Sequence, residues 1–189
     1  MADLITLAEL KPYIKVEASE TSFDTVLNAM ISEISKLFQS FVGCDILTDT
    51  YSSIKVNGSG RSVLDLPNWP ITAVSSITEE DIALIEGTDF EISVNRDYLI
   101  RLDGLGGESK WAKGIKNITV SYTAGFSGTP GDLKLACKKQ IGHEWKQQSN
   151  KEWGETSRSF PDGSVAFTPT SELLDSVKAI LKRYRRIRI

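Results

Sequence analysis

Histidine and cysteine are almost missing from this chain: one His, His143, and two Cys, Cys44 and Cys137, in 189 residues. A single histidine excludes a histidine-rich metal centre, and Cys137 stands too far from it for an i, i+4 ligand pair on a helix. Two cysteines so far apart do not make a disulfide framework, and each sits in apolar helical surroundings where a free thiol packs as a small core residue. No apolar stretch approaches the ~20 residues that span a bilayer. The opening Met1-Ala2-Asp3 carries an early acid and no basic lead-in, unlike a secretory signal. These absences predict a chain made and used in a cytosol-like compartment, with no membrane partner.

Catalytic patterns are missing as well. His143 falls inside a helical pattern, with no nucleophile and orienting acid announced around it. The run Gly104 to Lys110 superficially resembles a phosphate loop, but it lacks Gly before the lysine and Ser or Thr after it. A hairpin loop is the simpler reading. Glu79-Glu80-Asp81 lacks the alternating oxygen-ligand spacing of a calcium loop and reads as a solvated strand junction. The expectation is a non-enzyme without cofactor or metal.

What the chain has is a change of hydrophobic period. Thr6 and Glu9 have capping-box spacing, and Pro12 limits the helix they start. Phe23, Val26, Leu27, Met30, Ile31, Ile34, Leu37, Phe38, Phe41 and Val42 recur at helical spacing, predicting a helix over about 23–42. Ser22 is its expected N-cap, and Gly43 its C-terminal stop. From Thr50 to Tyr122 the period becomes two, in about seven short runs separated by turn residues. Asn57-Gly58 suggests a tight hairpin joining Tyr51–Val56 to Val63–Leu66, the first pair of an antiparallel meander. Helix returns after Pro130, with Leu133, Ala136, Cys137, Ile141 and Trp145 on one face. Residues 150–169 lose periodicity and read as a long loop, yet they hold Trp153, Phe160, Val165 and Phe167. Such aromatic content suggests a segment that orders against another surface. Ser171 is placed to cap a last helix, whose stripe is Leu173, Leu174, Val177, Ile180, Leu181 and Tyr184. The fold class expected is α+β: N-terminal helices, a central β-meander, and two C-terminal helices separated by a long loop.

Charge is uneven. The whole chain carries a net −3, but residues 171–189 hold six basic and two acidic side chains, against sixteen and twenty-three elsewhere. Three readings of that basic end stay open. It is a solvated helix whose cations suit the C-terminal dipole, a contact for DNA phosphates, or an arginine-rich helix docking on an acidic protein surface. Tyr184, Ile187 and Ile189 interleave apolar contacts among the charges, which suits a protein interface.

Several stretches together resemble the head–tail connector (adaptor, head-completion) proteins of tailed bacteriophages. They are Leu7 to Leu10, the amphipathic helix ending near Gly43, and Leu66-Pro67 to Pro70-Ile71 with Val74 and Ile77. Trp111, Val120 to Phe126 and Pro130 to Ala136 continue the match, which closes with Val177, Leu181 and Tyr184-Arg185-Arg186. The resemblance implies one adaptor domain over 1–189, with a helical core of 1–45 and 130–189, an inserted β region over 50–123 and a flexible loop over 150–169. It implies a structural virion protein at the neck: a ring, dodecameric on the portal, that connects head to tail and extends the DNA channel. Its partners would be the portal protein, a downstream neck or tail protein, copies of itself and, without sequence readout, packaged DNA. The expected portal-docking residues are Lys178, Lys182, Arg183, Tyr184, Arg185, Arg186 and Arg188. Trp153, Phe160 and Phe167 would contact a sister subunit or the neck. The rival readings are a nucleic-acid-binding accessory protein using the basic helix and another neck or tail-completion protein.

Overall fold

Local chemistry starts the first helix. The Thr6 hydroxyl accepts from the Glu9 amide at 3.3 Å, and the Glu9 carboxylate accepts from the Thr6 amide at 3.0 Å. The resulting α1 spans only Leu7–Leu10, as Pro12 requires. In the computed structural model, which describes residues 2–149, 157–160, 163–166 and 173–185, the chain divides into two compact units. One is Met1–Gly43 with Thr129–Ile189; the other is Cys44–Gly128.

The first unit is helical. Helix α2 runs Asp24–Val42 and ends at Gly43, whose φ of 82° needs a residue without Cβ. Ser22 does not cap it. Its amide and hydroxyl both donate to the Glu20 carboxylate, a stronger acceptor, and Phe23 occupies the N-cap without a side-chain bond. Asp24 instead meets the buried Lys11 ammonium at 2.6 Å. That ammonium also donates to the carbonyls of Ala18 and Glu20, so one cation ties the loop after Pro12 to the start of α2. Helix α3 runs Gly131–Ser149 and α4 runs Asp175–Tyr184. Leu10, Leu27, Phe38, Leu133, Ile141, Val177 and Leu181 are fully buried in this unit's core. Within the stretch expected as a loop, β8 (Ser157–Phe160) and β9 (Gly163–Ala166) pair antiparallel, so 150–169 contains a hairpin.

The second unit holds seven strands: β1 Asp49–Gly58, β2 Val63–Asp65, β3 Ile71–Glu79, β4 Ile82–Ala83, β5 Phe90–Ile92, β6 Tyr98–Arg101 and β7 Gly114–Ala124. They form two antiparallel sheets, ordered β1-β7-β3-β4 and β2-β6-β5. The α+β class stands, but pairing is not between successive strands throughout. Asn57-Gly58 is no turn into β2. The Asn57 carboxamide oxygen accepts from the Lys116 amide, and the Gly58 amide donates to Asn117, so both residues serve the β1–β7 pair. The physical reason is core placement. Strand β2 joins β6 because Leu64 and Leu66 enter the core beside Leu99, Phe90 and Trp111.

Arg101 of one sheet reaches Glu79 of the other at 3.2 Å, donates to the Asp89 carbonyl at 2.6 Å and lies 5.6 Å from the Trp111 ring centre. Directly after β7 comes Gly125, whose φ is 111°. A Cβ there would lie 2.5 Å from the Leu47 carbonyl oxygen, and Thr48 and Phe126 hydrogen-bond across the same point.

Candidate assembly surfaces

The basic C-terminal helix is seated by apolar burial and by polar bonds. Val177 and Leu181 of α4 and the preceding Leu173 bury their side chains, and polar bonds hold the helix ends. At its start the Leu174 amide donates to the Gln140 carboxamide oxygen of α3 at 3.0 Å. At its end the Tyr184 hydroxyl donates to Asp132 at 2.5 Å. Burial first, then the Asp132 carboxylate, pushes the Tyr184 phenol up to about 12, so it stays a donor across the physiological range. The buried arc of α4 leaves Lys182, Arg183 and the following Arg185 exposed. Lys178 is half-buried and lies 3.6 Å from Asp175.

The structure therefore separates the residues singled out above. Tyr184 faces inward as an anchor, whereas Lys182, Arg183 and Arg185 face solvent together. Arg186 and Arg188 lie outside the described residues, as do Trp153, Phe167 and the expected cap Ser171. Phe160 ends β8, opposite Gly163. The hairpin of Ser157–Phe160 and Gly163–Ala166 gave no periodic signal because each strand has four residues.

Several apolar side chains of the β unit stand in the open without a sequence signal. Ile82, Ile85, Leu105 and Ile115 are 67%, 65%, 95% and 85% exposed. Isoleucine in a short alternating run reads as core, yet Ile82 in β4 and Ile115 near the start of β7 face outward, and Ile85 and Leu105 lie in the segments after β4 and β6. Their backbones are held from below. The Leu105 amide donates to Asp103, the Ile85 amide to Asp89, and the Lys116 amide to Asn57.

Groups capable of chemistry point elsewhere. Burial pushes the Cys137 thiol up to about 12, which leaves it protonated and unreactive. Glu144 has its carboxyl raised by burial, opposed by a hydrogen bond from Gln140. Among the described residues no three His, Cys, Asp or Glu side chains are grouped to hold a metal, and no helix is long and apolar enough to cross a membrane.

Comparison with known proteins agrees with this architecture. The structure is similar to a chain in the neck of an empty GTA particle computed with C6 symmetry, with a TM-score of 0.53 and 14% identity over 98% of this chain and 91% of that one. A chain from the virion of a native gene transfer agent (GTA) particle gives a TM-score of 0.54 at 13% identity, with coverage of 98% and 91%. At such identity the likeness is one of fold. No curated protein sequence matches the chain. The family model described as head completion protein (HCP) matches residues 3–187, nearly the whole sequence. A match of that extent settles membership: the chain belongs to the head completion protein family.

Proposed function

We propose that this chain is a structural part of the virion neck, forming a ring at the portal vertex that joins head to tail and continues the DNA channel, without catalysing a reaction. The observation that carries the reading is the family match over residues 3–187. The similar fold found in a GTA neck of C6 symmetry supports it, since that symmetry is compatible with a ring of twelve. Ring packing is heterologous, so each copy needs two different complementary surfaces.

In this reading the exposed Lys182, Arg183 and Arg185, continued by Arg186 and Arg188, dock on an acidic face of the portal, with Tyr184 fixing the helix that presents them. Lys178 supports the same face. Trp153, Phe160 and Phe167 contact a sister subunit or the next neck protein, and packaged DNA is touched without sequence readout. Bidentate guanidinium–carboxylate pairs would set the register of docking.

Removing residues 178–189 would also remove Leu181 and Tyr184 from the helical unit, so charge reversal is the cleaner test. A Lys182→Glu, Arg183→Glu, Arg185→Glu variant should keep the wild-type melting profile and lose binding to purified portal rings in a pull-down. Undiminished binding would refute the docking role. Tight binding of free duplex DNA with a steep salt slope would instead favour the nucleic-acid reading.

A further inference from the structure

Asn57-Gly58 is the chain's one Asn-Gly pair; the other five asparagines precede Ala, Trp, Arg, Ile or Lys. An asparagine before glycine is open to self-modification, because no Cβ on the next residue hinders its amide nitrogen from reaching the asparagine Cγ. In the structure both reacting groups are occupied. The β1–β7 register passes from Val56 opposite Ile118 to Gly58 opposite Gly114, so residues 115–117 bulge out against Asn57 alone. Within that bulge Lys116, at φ 53°, turns its amide onto the Asn57 carboxamide oxygen at 2.7 Å. The Gly58 amide donates to Asn117 Oδ1 at 2.9 Å, and Asn117 Nδ2 donates to the Ala112 carbonyl at 2.9 Å. Asn117 is gripped in turn, since a Cβ on Gly114 would lie 2.6 Å from its Cγ. A Cβ on Gly58 would overlap the Ala112 carbonyl oxygen, so only glycine fits there and no bulkier neighbour can shield Asn57.

We infer that Asn57 is a deamidation site that the fold holds shut, with Asn117 as its guard, and that it opens when the chain unfolds. The reaction is internal. The Gly58 nitrogen, losing its proton to hydroxide, bonds to Asn57 Cγ; the Cγ–Nδ2 bond breaks, and ammonia leaves with a proton from water. Water then adds to either carbonyl of the succinimide ring. The product is aspartate or, with the main chain rerouted through Cβ and Cγ, isoaspartate. Dryness does not protect the site, because Asn57 is exposed. Geometry does. The extended backbone of a strand is far from the folded-back conformation in which the ring closes, and the N–H that must ionise is bound to Asn117. Reaction therefore waits for the bulge to open. The two products differ in consequence. Aspartate keeps an oxygen for the Lys116 amide, whereas isoaspartate adds a carbon to the main chain of β1 between Val56 and Gly58, whose partners are fixed at Ile118 and Gly114. A chain that folds promptly keeps Asn57, and one that lingers unfolded is barred from the β1–β7 pairing.

The test follows the tryptic peptide Val56–Arg61 by mass spectrometry after the full-length chain is kept warm and mildly alkaline, in buffer or in concentrated urea. Asn57 should deamidate at least about a hundredfold more slowly in buffer than in urea, and in urea it should outpace the other asparagines. Asn117→Ala frees the Gly58 amide and should speed the reaction in buffer about tenfold. Val177→Ala, a core truncation in the helical unit, should leave that rate unchanged. The wild-type comparison needs no variant and decides the matter alone where Asn117→Ala does not fold. When aged urea samples are returned to buffer, the refolded fraction should hold asparagine and aspartate at 57, and isoaspartate should collect in the fraction without protected amides. Equal rates in buffer and urea overturn the inference, and so does refolded protein carrying isoaspartate at its full proportion.

Discussion

Lys11 is the residue whose burial the sequence conceals. It follows a short helix, precedes a proline, and looks like any solvated lysine. In the structure its side chain is 6% exposed, and its ammonium holds Asp24 and two carbonyls. A Lys11→Met change keeps the apolar stem but leaves those acceptors without their donor. It should destabilise the protein by about 2 kcal/mol, read by chemical denaturation. Glu144 is the opposite case, a carboxyl that burial raises above its ordinary value of 4.5. A group whose folded pKa lies above its unfolded value favours folding while protonated, and that contribution is lost as pH rises through the folded pKa. Glu144→Gln should therefore raise stability at pH 7 by about 1 kcal/mol, since the amide oxygen still accepts from Gln140. The advantage over wild type should shrink as pH falls through the raised folded pKa and be gone below the ordinary carboxylate value, in parallel melts across pH.

Among the elements, helices were the legible part. Thr6 and Glu9 capped α1 as read, and Gly43 ended α2, because both signals act within one turn of chain. Strand positions in the β unit were legible too, since period-two alternation is local. Their partners were not. Asn57-Gly58 carries the chemistry of a tight turn, yet β1 pairs with β7, and that choice depends on which side chains share a core far along the sequence. The hairpin of β8 and β9 escaped because four-residue strands give too few alternations to count. Of the residues proposed for docking, the basic run was visible as composition, but which cations face solvent and which residue anchors the helix required α4's packing.

The join between the two sheets makes a prediction of its own. Arg101 and Glu79 are 16% and 12% exposed, so Arg101→Met leaves two acids without their cation in a dry site. The expected loss is about 3 kcal/mol in urea denaturation, with weakened Trp111 packing seen as a fluorescence shift. At α4, Tyr184→Phe removes one hydrogen bond and leaves the ring in place. It should cost about 1 kcal/mol locally, seen as faster hydrogen exchange in the α4 amides while α2 amides keep their protection.

For the whole molecule, the chain divides into a helical unit built from its two ends and a β unit threaded between them. The β unit has its own core, with Trp111, Tyr122, Ile71, Ile77, Leu99 and Val120 essentially inaccessible to solvent. A fragment of residues 44–128 should therefore fold alone, giving one cooperative melt and dispersed amide resonances. A disordered fragment would show that it depends on the helices. This unit also begins and ends at one spot, because Thr48 and Phe126 are hydrogen-bonded and Leu47 bridges Phe126. Such a doorway lets an entire cassette of strands be lengthened, shortened or traded for another while the flanking helical sequence sees the same short gap between its ends.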